Sequence, residues 1–143
     1  MWKNIYDQLL QAMTVRWAEF MRVNQSAGKA VRDNFQTRIY PDIGKYLIIL
    51  TVIFSVFYYF YLNSRFGRYY RITTWLLVMG LCSLTVLVTT YFQAKNILGR
   101  PYIDVSPQLM WIGLINAIYA AILFFLLALI LKWFSPMGKR TPF

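Results

Sequence analysis

The chain has 143 residues, is 59% hydrophobic and 19% aromatic, and carries 15 Lys and Arg against 5 Asp and Glu, with no histidine and one cysteine. Without histidine there is no imidazole for haem ligation, for general-base chemistry or for the usual zinc sites. One thiol, Cys82, supports neither an intrachain disulfide nor a cysteine-held iron-sulfur cluster.

Residues 1–45 carry seven Lys and Arg and four acids. At about 100° per residue, Trp2, Tyr6, Leu9, Met13, Trp17 and Phe20 share one side with Ile5 and Leu10, while Lys3, Asn4, Asp7, Gln8, Gln11 and Arg22 fall on the other. This pattern predicts an amphipathic helix. Its apolar face suits either of two settings, the lipid headgroup region or the surface of another protein, a second copy of this chain included. Asn24, Gln25, Ser26 and Gly28 predict a break, and Ser26 can cap a short second helix running to about Asn34. Pro41 then predicts the turn into a membrane. A cleaved leader is not expected, because the first long apolar run starts only at Tyr46.

Three runs follow that contain no charged residue, 46–62, 72–92 and 109–131. A helix rises about 1.5 Å per residue, so about 20 residues cross a hydrocarbon core of roughly 30 Å. The second and third runs are long enough unaided. The first is completed by Gly44, Lys45 and Asn63, with Tyr58, Tyr59 and Tyr61 expected at headgroup level as amphipathic anchors. The fold class expected is all-α: an integral membrane protein with three transmembrane helices preceded by an amphipathic helical segment. Its parts are an interfacial or partner-docking segment (1–45), a transmembrane domain (46–134) and a short basic tail (135–143).

The first connection, residues 63–71, interleaves Arg65, Arg68 and Arg71 with aromatic side chains. Nine residues tied between two spans offer a nucleic-acid strand little groove, so these arginines, with Lys132, are assigned to lipid headgroups. The second connection, Gln93 to Gln108, is bent by Pro101 and Pro107. Flanking charge does not orient the chain. Lys29, Arg32, Arg38, Lys45, Lys95 and Arg100 on one side balance Arg65, Arg68, Arg71, Lys132, Lys139 and Arg140 on the other. The seven positive charges ahead of the first span argue for an amino terminus on the cytoplasmic or matrix side.

Chemistry inside the runs is sparse. Proton or ion movement through one chain calls for an ionisable group held in the bundle at a cost of about 2.5 to 3.5 kcal/mol, and these runs hold none. No phosphate-cradling glycine loop or nucleophile elbow is present either, and no cofactor or metal is expected. What the runs do hold is packing material. Gly113, Ala117 and Ala121 recur at four-residue steps in the third run with Asn116, Ala120 and Ala128 beside them, a spacing that lets helix backbones approach closely. Asn116 is expected to bond across to the second run, where Cys82, Ser83, Thr85, Thr89 and Thr90 are small polar partners.

The reading that follows is a non-catalytic scaffold or accessory subunit of a larger complex in a bacterial or organellar inner membrane. Its partners would be other membrane subunits and anionic lipid, not nucleic acid. The alternative is a homo-oligomeric pore lined by Ser83, Thr85, Thr89 and Asn116.

Overall fold

The computed structural model describes residues 4, 8, 29, 33–62, 72–99 and 106–134, and apart from Gly99 all of them are helical. Asn4, Gln8 and Lys29 are helical ahead of the long elements. The rest of the amphipathic segment, with Trp2, Tyr6, Leu9, Met13, Trp17 and Phe20, lies outside the described residues, as do Arg65, Arg68, Arg71 and the side chain of Lys132.

Three long helices follow: α1 (Phe35–Leu62), α2 (Ile72–Leu98) and α3 (Ser106–Phe134). All three are long and apolar enough to cross a membrane.

Helix α1 is α-helical over Tyr40–Val56 and wound as the wider π-helix at both ends, Phe35–Ile39 and Phe57–Leu62. Pro41 therefore does not mark a turn. The helix continues through it from Asp33, so no helix end falls at Asn34; the rest of the expected short upstream helix, Lys29 apart, lies outside the described residues. Proline has no N–H to donate, and its ring crowds the carbonyl four residues back. The wider turn ahead of it, in which the Tyr40 N–H reaches the Phe35 carbonyl, is the local rewinding that lets a helix contain a proline.

Helix α2 ends at Gly99, whose φ of 66° is a left-handed conformation that glycine adopts without cost. From there its N–H closes the last turn onto Lys95 and Asn96 carbonyls at 3.1 and 3.3 Å. Helix α3 opens on Ser106 and Pro107, where a missing N–H would have no partner in any case. The second connection is thus shorter than the expected Gln93 to Gln108. Helices of 27 to 29 residues rise about 40 Å, roughly 10 Å more than the hydrocarbon core. The surplus carries polar residues that the uncharged runs leave out: Arg38, Asp42 and Lys45 on α1, Gln93, Lys95 and Asn96 on α2, Gln108 on α3.

The chain forms two compact units, the first of residues 1–46 and 87–116, the second of 47–86 and 117–143. In the first, Phe35, Ile39, Tyr40 and Ile43 of α1 are buried, as are Ala94 of α2 and Leu109, Ile112 and Ile115 of α3. Phe35 and Tyr40 meet edge to face at 6.2 Å. The Asp42–Lys45 pair, 3.5 Å apart and exposed, contributes little beyond solvation of that end.

In the second unit one cluster joins Leu47, Tyr58 and Tyr59 of α1, Trp75, Val78, Cys82 and Val86 of α2, and Ala120, Phe124 and Ala128 of α3. Tyr58 and Tyr59 meet edge to face at 5.0 Å within it. They are core residues rather than headgroup anchors, which corrects the expectation for that pair. Phe57 and Tyr61, stacked at 5.1 Å, and Phe60 make up the outward face of this turn. The reason is spacing: Ser55, Tyr58, Tyr59 and Leu62 fall on the inward side of α1, and Phe57, Phe60 and Tyr61 on the other.

Candidate functional site

The features with assignable chemistry are the helix contact surfaces. In the first unit α3 approaches α2 at Gly113. A β-carbon built there would lie 3.3 Å from the Leu87 carbonyl oxygen and 3.5 Å from the Leu87 Cγ. Glycine lets the two helices come this close: the obstacle to a side chain is backbone, which cannot rotate aside, so even one added carbon would ask the helices to give by a few tenths of an ångström.

One helical turn on, Asn116 Nδ2 donates to Thr90 Oγ1 at 3.0 Å, both residues fully or almost fully buried. This is the cross-helix bond anticipated for the lone amide, and Thr90 is its partner. A primary amide deep in an apolar span needs such a bond, since lipid offers nothing in exchange. Its net worth is nonetheless modest, about 0.6 kcal/mol on average for membrane hydrogen bonds. Its main effect is on register. Beyond the apolar run, the Lys95 ammonium lies 6.0 Å from the Tyr91 ring centroid, a cation–π arrangement suited to a headgroup-level lysine.

In the second unit the packing surface differs in detail from the small-residue stripe. Ala120 and Ala128 are buried, but Ala117 and Ala121 are only half-buried, and the residue that fills the space between is Phe124. Trp75 faces it, with ring centroids 5.8 Å from Phe124 and 6.2 Å from Phe125. Small residues thus bring α3 in at two levels and a large aromatic closes the gap. Ser83 is half-buried, while its neighbour Cys82 is fully enclosed in the cluster.

Two hydroxyls of this unit bond within their own helix. Thr51 Oγ1 donates to the Leu47 carbonyl at 2.7 Å and Thr85 Oγ1 to the Leu81 carbonyl at 2.8 Å, the usual recourse of hydroxyls in apolar helices. Thr51, Ser55, Tyr58, Tyr59 and Trp75 are buried contact residues outside the small-residue stripe. The signal was available in the four-residue steps Leu47, Thr51, Ser55 and Tyr59, which mark the inward side of α1. Among the described residues, no group of three His, Cys, Asp or Glu is placed to hold a metal ion.

Three apolar helices of spanning length define a multi-pass integral membrane protein. No protein-family model matches the chain, and no curated protein or solved structure is significantly similar to it.

Proposed function

We propose that this chain is a non-catalytic scaffold or accessory subunit of a larger membrane protein complex. The observation that carries the reading is the outward surface of the spans. In the most apolar 18-residue stretch of each helix, 39% of α1, 22% of α2 and 28% of α3 is buried within the chain. The remainder meets lipid or other subunits. What chemistry the spans contain is contact chemistry: a glycine against a carbonyl, one amide on one hydroxyl, and an aromatic cluster. Of the residues a pore would place around its lumen, Ser83, Thr85, Thr89 or Asn116, the last is buried against Thr90, which supports a packing role for that residue.

In this proposal the side of the amino-terminal segment bearing Trp2, Tyr6, Leu9, Met13, Trp17 and Phe20 docks a partner or rests among headgroups. Arg65, Arg68, Arg71 and Lys132 meet anionic lipid at the opposite membrane surface. The membrane is a bacterial or organellar inner membrane with the amino terminus on the cytoplasmic or matrix side.

Native mass measurement after mild detergent extraction tests the role. Heterologous subunits are expected with the wild-type chain and are expected to be lost with Leu9→Asp/Met13→Asp. A closed ring of identical chains that conducts in planar bilayers would sink the proposal. Orientation is tested with a Ser64→Cys thiol in a Cys82→Ser background and a membrane-impermeant maleimide. Labelling is expected from the outer face, and labelling only from the cytoplasmic or matrix side reverses the assignment.

A further inference from the structure

We draw no further inference here: the strongest candidate, the buried side-chain cluster of Thr51 and Ser55 on α1 and Cys82 on α2 in the second unit, is a lone thiol beside hydroxyls with nothing in the structure pointing to a ligand there, since the Ser55 hydroxyl can turn onto the Thr51 carbonyl of its own helix as Thr51 and Thr85 turn onto Leu47 and Leu81.

Discussion

Replacing Trp75 by alanine should destabilise the second unit by about 2 to 4 kcal/mol, the largest single-residue effect expected in the chain. In water-soluble cores such a change costs about 3 to 5 kcal/mol, part of it the transfer of the lost apolar surface and part the cavity left behind. In a bilayer the transfer part shrinks, because lipid is as apolar as the core. Dispersion contacts and the void remain. Trp75 is 3% exposed and faces both Phe124 and Phe125, so neighbours drawn from α3 would have to collapse inward to refill the space. Trp133, 86% exposed at the end of α3, is the internal comparison. Its alanine variant should stay within about 0.5 kcal/mol of wild type. Reversible unfolding in mixed detergent micelles measures both. Equal losses for Trp75→Ala and Trp133→Ala would mean that the aromatic cluster does not hold the unit together.

Gly113→Leu should be the most damaging substitution in the first unit, costing about 1 to 3 kcal/mol through overpacking. The number that decides it is the 3.3 Å between an added β-carbon and the Leu87 carbonyl oxygen. Helix propensity favours leucine over glycine by somewhat under about 1 kcal/mol, so steric cost is expected to win, though not by the full clash. Relief requires α2 and α3 to separate, which would stretch the 3.0 Å Asn116–Thr90 bond one turn away. The two should therefore be coupled. Asn116→Leu alone is expected to cost only about 0.6 kcal/mol, and in the Gly113→Leu background nearly nothing further. Unfolding free energies for the two single variants and the double variant test this. Additive losses would show that the glycine contact and the amide bond are independent.

Much of the architecture was legible because membrane residence is written in composition. Three uncharged runs of this length have no stable alternative in lipid to self-satisfied helices, so number and type of element follow directly. The ends of those helices were less legible. Charge and polarity report where the hydrocarbon stops, but a helix needs only its own backbone bonds to continue, and Lys95 and Asp42 lie within helices that outlast the apolar runs. Pro41 misled for a related reason: a proline predicts a break only if the preceding turn keeps α geometry, and here that turn is wider.

The candidate site divides in the same way. Asn116 was conspicuous in the sequence because an amide in a greasy span must find a partner, and that necessity does not depend on knowing the fold. Its choice of Thr90 over the hydroxyls of Ser83, Thr85 or Thr89 comes from how α2 and α3 pack: rotation of α2 about its axis turns Thr85 and Thr89 aside, and Ser83, on the same face as Thr90, lies two turns away along the helix. Likewise the sequence presented Tyr58, Tyr59 and Tyr61 as one aromatic group. Packing sorted two into the core and one outside. In water, hydrophobicity would have told inward from outward, but in these spans both directions are apolar and the sequence carries little contrast between them. By itself, then, the sequence determined that the chain crosses a membrane, in helices, without charges inside. Only the tertiary structure decided which sides of those helices face each other, because in lipid that choice rests on shape and on a few polar bonds rather than on a preference for water.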